Sequence, residues 1–307
     1  MAFTTNLSGT TQLDDSIVLA FDQSYLIAVG QNNVMDQFVT YKADIGAKSI
    51  QFPKYSRLAV ATTPLVEADD VTSEAMADAP ILITPAEYGN VITTTSLSSL
   101  QTGGKADLAA AQLVGINHAQ TLDKLAILAL DACTNVLTVG GDIQANITAG
   151  NVVSLTFLNS MYNKLARASV PMVNGAYVAV MHDDVIADLR ADVSVGSWTD
   201  VTKYATPETA LRNEVGMYKG FRVVRDNQAT ITVDGGAGAV DNYNSYYFGM
   251  NALGKATSQT GRMTATGPFD KLGRFVNLGW YEVSGYKIVD MDCVWKGVSA
   301  SSLGVNV

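Results

Sequence analysis

The sequence predicts an α+β protein, and three features of its 307 residues carry that prediction. The first is apolar/polar alternation between Lys48 and Thr62. The second is a long, proline-free segment rich in Ala and Leu from Gly104 to Asn135. The third is the alternation of helix-like and strand-like patterns after residue 150, which closes in a strand-rich stretch from Gly273 onward. With 48% hydrophobic and 16% charged residues, only 7 prolines and no low-complexity tract, the chain is expected to fold. It is long enough for two modest domains or one elaborate one.

Residues 1–40 hold short apolar patches, "IVLAF" and "YLIAV", interrupted by polar residues and Gly30. Such patches are too sparse to form a core. They are expected to pack as an arm that is dispensable for folding and ordered against other subunits. In the next segment Ile50, Phe52, Leu58 and Val60 alternate with Ser49, Gln51, Arg57 and Ala59, the period of a half-buried strand. Pro53 donates no ladder hydrogen bond and places that strand at an edge. Twelve residues of strand reach about 40 Å. Val66–Ala79 then carries five carboxylates, Glu67, Asp69, Asp70, Glu74 and Asp78, with no Lys or Arg. A second strand, "ILITPAEYGNVITTT", follows. Two long strands with an acidic tip are expected to project from the body.

From Gly104 the segment reads as one helix of roughly 45 Å. Leu122, Leu125, Ala129 and Ala132 form its apolar stripe and Gly115 is a possible bend. The stripe is expected to face the C-terminal strands that hold Trp280 and Trp295. Beyond residue 150, Val152–Ala168 reads as a helix and "YVAVMH" as a buried strand. "DDVIADLRAD" reads as a short helix capped by Asp183 or Asp184. "GFRVVRDN" and "SYYFGMNALG" are further strands, and the C-terminal stretch is a hairpin turning near Gly285.

Little in this sequence points to catalysis. The run "VDGGAGAVDN" lacks both the GxGxxG spacing and a following Lys-Ser or Lys-Thr, so it reads as a surface loop. His182, Asp183 and Asp184 lack a second His–carboxylate pair at ligand spacing, and His118, inside the helix, reads as a packed histidine. Cys133 and Cys293 form no CxxC and read as buried, reduced thiols. No GxSxG is present. No catalytic, cofactor-binding or metal-binding residue is assigned, and the chain is read as a non-enzyme.

The formal net charge is −9, and the first 41 residues contain no Lys or Arg. Nucleic-acid binding draws on clustered cations that release counterions from phosphates, and no basic arm is present to do so. No apolar run approaches the roughly 18 residues of a membrane span. The first residues lack the basic and apolar regions of a secretory signal, so folding in a cytoplasm is expected.

The order of these elements resembles the major capsid proteins of tailed double-stranded DNA bacteriophages. "VTYKADIGAKSIQFPKYSRLAVATTPLVEADDV" is similar to their extended-loop segment, and "EYGNVITTTSLSSLQ" to the lead-in to their spine helix. "NEVGMYKGFRVVRDN" and "YYFGMNALGKA" resemble their axial-domain strands. The resemblance spans nearly the whole chain, and it rests on the order of soft motifs. It implies an N-terminal arm over 1–40 and an extended β-hairpin loop over 41–95. A peripheral domain follows over 96–150 and 262–307 with its spine helix at 104–134, and an axial α/β domain over 151–261.

The function so implied is a shell subunit. It self-assembles as pentamers and hexamers around packaged DNA, bound without sequence specificity, in a virion built in a bacterial cytoplasm. A separate scaffolding protein (or none), a portal and a decoration protein are the implied partners, with no membrane. A bacterial nanocompartment shell is the alternative on the same fold, and an unrecognised β-rich enzyme or binding protein is the other. Some relatives lock their shells by Lys–Asn isopeptide bonds. Lys42, Lys48 and Lys54 lie in or beside the loop and read as ordinary ion-pairing lysines. Contacts between subunits are expected from Lys54 and Arg57 on the loop strands and from Glu67, Asp69, Asp70 and Glu74 at its tip. The tip is expected to meet Arg262, Lys271 and Arg274 of a neighbour.

Overall fold

The computed structural model describes residues 23–29, 33–44, 46, 48–56, 58–65, 67, 70–141, 143–191, 214–266, 272 and 274–303. Two sheets organise it. The first has four strands, β1 (Thr40–Ala43), β11 (Leu253–Thr266), β12 (Phe275–Ile288) and β4 (Ala86–Thr95), in that order. The second runs β5 (Val136–Thr138), β13 (Val294–Ser299), β10 (Asn242–Phe248), β6 (Tyr177–Met181), β8 (Phe221–Arg225) and β7 (Glu214–Tyr218), with β9 (Ile231–Thr232) also paired to β10. A separate small hairpin joins β2 (Ile50–Phe52) to β3 (Ile81–Ile83).

The helices follow from their sequences. Helix α1 covers 23–29. Helix α2 (Ser96–Thr102) starts at Thr95, whose hydroxyl accepts from Ser98 N–H, and it ends where Gly103 and Gly104 turn left-handed. Helix α3 (Lys105–Asp131) is the predicted long helix, and it runs uninterrupted through Gly115. A Cβ there would lie 2.7 Å from the Tyr25 carbonyl oxygen and 2.9 Å from Ala28 Cβ, so glycine lets α1 lie directly on α3. Gly115→Leu is expected to push α1 away and cost about 1–3 kcal/mol, read as a lower urea midpoint. Helix α4 (Leu155–Arg167) is capped by Ser154. Helix α5 (Asp183–Ala191) opens differently from the sequence reading. Asp183 and Asp184 belong to its first turn, and the ring nitrogen of His182 accepts from Asp184 N–H.

The main core lies between the second sheet and the C-terminal half of α3, with α4 and α5. Strand β6 is buried at every residue, as the uninterrupted apolar run "YVAVM" requires. The N-terminal half of α3 lies across β12 and β4 of the first sheet, where Tyr25, Val114 and Trp280 form a second cluster.

Several expectations are corrected. The twelve-residue strand from Lys48 shrinks to Ile50–Phe52, because Pro53 ends the ladder. One further bridge, Tyr55 to Asp78, prolongs the hairpin, and beyond it Leu58 and Val60 are in solvent. The second strand is two strands. Ile81–Ile83 pairs with β2, Pro85 breaks the run, and Ala86–Thr95 becomes an edge of the first sheet. Gly285 is not a turn. It lies inside the continuous strand β12, close against the Thr84 carbonyl, and the hairpin partner is β11.

The stripe of α3 is also shifted. Ala111, Val114, His118, Leu122, Ala126, Ile127 and Leu130 are buried, whereas Leu125 is only half-buried. Trp280 stacks on α3 as expected, at 4.4 Å from the His118 ring, but Trp295 lies under Lys164 of α4. The expected arm is partly core. Val34, Met35 and Phe38 pack in the main core and Tyr25 in the second cluster, so a chain begun at residue 41 loses core residues. The division drawn at residues 150 and 262 cuts across both sheets, since β5 and β13 pair into the second and β11 crosses residue 262.

Candidate functional site

The segment beyond the β2–β3 hairpin is the most unusual surface of the chain. Every described residue from 55 to 80 is exposed. Among them Leu58, Val60, Leu65, Val71 and Met76 present large apolar side chains, with Val60 85% exposed. Glu67, Asp70 and Glu74 are exposed on the same stretch, and Asp70 accepts from the N–H of Val71. Scattered surface apolar residues are ordinary, but a clustered set on an extended segment marks an interaction surface. Of the residues expected here, Arg57 and Asp69 lie outside the described residues, as does Lys271.

The root of this loop is tied to its own body. Lys54 Nζ donates to Asp290 Oδ1 at 2.7 Å. Burial is the largest influence and tends to raise the Asp290 carboxyl, but the Lys54 bond and charge and the Asp292 N–H together hold it below the usual range. Lys54 therefore already has a carboxylate within the chain, and Lys42 is bonded to the Gln51 carbonyl. Arg262 and Arg274 are exposed, but the register keeps them apart. Arg262 faces Tyr281 in mid-strand, and Arg274 precedes Phe275, its guanidinium over that ring. Seven positions along β12 separate them by about 23 Å.

A buried polar chain anchors α1 and the following turn to the first sheet. The Tyr25 hydroxyl and His118 Nδ1 lie 2.7 Å apart, and His118 Nε2 is 2.6 Å from Glu282 Oε2. Lys255 Nζ lies 3.3 Å from the other Glu282 oxygen and 2.7 Å from Asp36 Oδ2. Tyr286 donates to Asp36 Oδ1. His118, Lys255 and Glu282 are each at most 6% exposed. Burial works to raise the Glu282 carboxyl, yet the His118 bond and the Lys255 ammonium together hold it below the ordinary range.

Sequence reasoning missed this chain, since its bonded members lie up to 250 residues apart. A signal was present. Glu282 follows the apolar and aromatic run "LGWY" and Lys255 follows "NALG", and the helix around His118 carries no Asp, Glu, Lys or Arg from Leu108 to Leu122.

The other candidates resolve simply. Cys133 and Cys293 are buried free thiols, the second pushed up to about 12 by burial and by Asp290. The glycine-rich run packs against the Ile147 carbonyl and Asn242. No group of three or more His, Cys, Asp or Glu among the described residues is placed to hold a metal ion.

No family model matches the chain, and no curated protein matches it in sequence. Solved structures do. The capsid of Ralstonia phage GP4 superposes with a TM-score of 0.71 at 15% identity, over 88% of this chain and 92% of that one. The chain has the fold of phage capsid subunits. The cyanophage Pam1 capsid gives a TM-score of 0.69 at 14% identity, covering 89% of this chain and 93% of that one. The virus-like particle from Pyrococcus furiosus gives 0.57 at 12% identity, over 90% and 96%. In capsid terms, the α+β fold read from the sequence is present with its exposed loop, long helix and two sheets.

Proposed function

We propose that the chain is the structural subunit of an icosahedral shell, built as pentamers and hexamers around packaged double-stranded DNA. The observation that carries this reading is the exposed, apolar and acidic loop at 55–80 on a capsid fold. A chain that leaves such a segment without an interior supplies it to a neighbour, and edge strands and loops become contacts when self-assembly is the function. The chain is read as an arm, an extended loop, a peripheral part and an axial part, with the arm partly in the core, the loop strands short, and β5 and β13 joined to the second sheet. The acidic balance suits a container that encloses DNA without gripping it. A scaffolding protein, a portal and a decoration protein are the partners this role calls for, in a virion assembled in a bacterial cytoplasm. A shell around cargo protein is the second reading. The likeness to the Pyrococcus furiosus particle favours it, and the higher TM-scores of the phage capsids favour the first.

The tip carboxylates Glu67, Asp69, Asp70 and Glu74 are proposed to face Arg262, Lys271 and Arg274 of a neighbouring subunit, steering assembly more than strengthening it. Each exposed pair contributes only about 0.2–1 kcal/mol, but a shell repeats the contact at every subunit. Changing Asp70 and Glu74 to Lys is expected to block assembly at low salt, measured by light scattering. Arg262→Asp with Arg274→Asp is expected to restore part of it. Unchanged assembly and salt dependence in the Lys variant would remove the tip from the interface. The function itself is tested by electron microscopy of the purified chain. Closed particles are expected, and a discrete monomer or dimer under all assembly conditions contradicts the reading. Nuclease-protected DNA in particles from infected cells separates the DNA shell from the cargo shell.

A further inference from the structure

Asp123 stands in the middle of α3 and is 3% exposed. Its carboxylate accepts from the backbone N–H of Val34 at 3.0 and 3.1 Å and of Met35 at 2.8 Å. Those N–H groups open the 3-10 turn Met35–Phe38, whose first donors have no partner inside the turn. One side chain of the long helix thus holds the segment that feeds Met35 and Phe38 into the main core.

The surroundings are unfavourable for a charge. Asp226, from the turn after β8, is buried and close enough to repel Asp123, and its Oδ2 is a buried atom with no hydrogen-bond partner among the described residues. Asp36, on the 3-10 turn itself, repels it as well. From β12, Tyr286 donates to Asp36. The cations nearby are engaged elsewhere: Lys255 of β11 with Asp36 and Glu282, and Lys124 of α3 with the Gln228 carbonyl. Lys124 and His182 act on Asp226.

We propose that Asp123 is a proton-operated latch on the arm. Its protonated carboxyl keeps residues 33–38 docked on α3, and its ionised carboxylate, buried beside Asp226 and Asp36, loosens them. Burial, with repulsion from both acids and against the Met35 and Val34 bonds, pushes the Asp123 carboxyl up from 3.8 to about 7. The sign follows from linkage. An undocked segment opens the carboxyl to water and lowers it toward its ordinary value, with Asp226 still beside it. This group's contribution to docking is therefore full below pH 3.8, falls about tenfold per unit as pH rises toward 7, and is level above. The whole span is at most about a thousandfold. In mild acid the segment is tied to its own subunit, and at neutral or alkaline pH it is freer to reach a second copy. The latch stands whether or not the chain builds a shell.

The test is hydrogen exchange of peptides covering residues 33–38 in the unassembled full chain from pH 5 to 8, each rate divided by its intrinsic value. Protection is expected to fall about tenfold per unit up to pH 7 and then level. Asp123→Asn, which keeps an acceptor but no charge, is expected to give a flat profile. Asp226→Asn, which leaves Asp123 in place, is expected to move the break to lower pH. A flat parent profile, an Asp123→Asn profile with the parent slope, or an Asp226→Asn break at the parent pH overturns the latch.

Discussion

Replacing Lys255 with alanine is expected to destabilise the folded chain by about 3–5 kcal/mol, the usual consequence of removing one partner from a buried ion cluster. Lys255 stands between Glu282 and Asp36, at 3.3 and 2.7 Å, and its side chain is almost fully buried. Without the ammonium, Glu282 keeps the His118 bond, and Asp36 keeps the Tyr286 and Asn33 donors. Both carboxylates then remain out of water with too little compensation. The urea midpoint at pH 7 measures the loss. Lys255→Met combined with Glu282→Gln removes the charges together and is expected to recover part of it. A Lys255→Ala variant within 1 kcal/mol of the parent, a threshold set by ordinary surface substitutions, would show that the cluster does not hold the arm and the sheet together.

The second large effect is on assembly and not on folding. The hairpin register pairs Tyr55 with Asp78, and Ser56 N–H donates to the Ala77 carbonyl at 3.0 Å. Replacing residues 57–76 by Asn-Gly therefore closes the hairpin with a two-residue turn in the existing register. Every described residue removed is exposed, so none of these takes a core contact with it. The unassembled variant is expected to unfold at the parent's urea midpoint and to form no closed particles. A variant that still closes into shells would place the assembly contacts elsewhere, and one that fails to fold would mean that the loop packs on its own subunit.

Local pattern made much of this fold legible. The long helix, the buried strand β6, helix α4 and the strand over Phe221–Arg225 follow from apolar period and capping residues. The projecting acidic loop was legible from its charge pattern. Where the reading failed, the deciding contact was distant in sequence. Alternation at Leu58 and Val60 looks like strand, yet no partner strand lies alongside, and period two alone cannot supply one. Gly285 looks like a turn until Thr84 is seen pressed against it from β4's lead-in. The sparse patches before residue 40 look too weak to fold, because the Asp123 cap and the His118–Glu282–Lys255–Asp36 chain that receive them come from residues 80 to 250 positions away. Pairings of single charges across such distances leave no periodic trace.

The central claim is that the 55–80 loop finds its interior on a neighbouring copy of the chain. A cryo-electron-microscopy reconstruction of assembled particles tests it most directly. Pentamers and hexamers are expected in which Leu58, Val60, Leu65, Val71 and Met76 are covered by an adjacent subunit, with the carboxylate tip near Arg262 or Arg274 of that subunit. A closed particle in which the loop remains in solvent, or folds back on its own subunit, would contradict it.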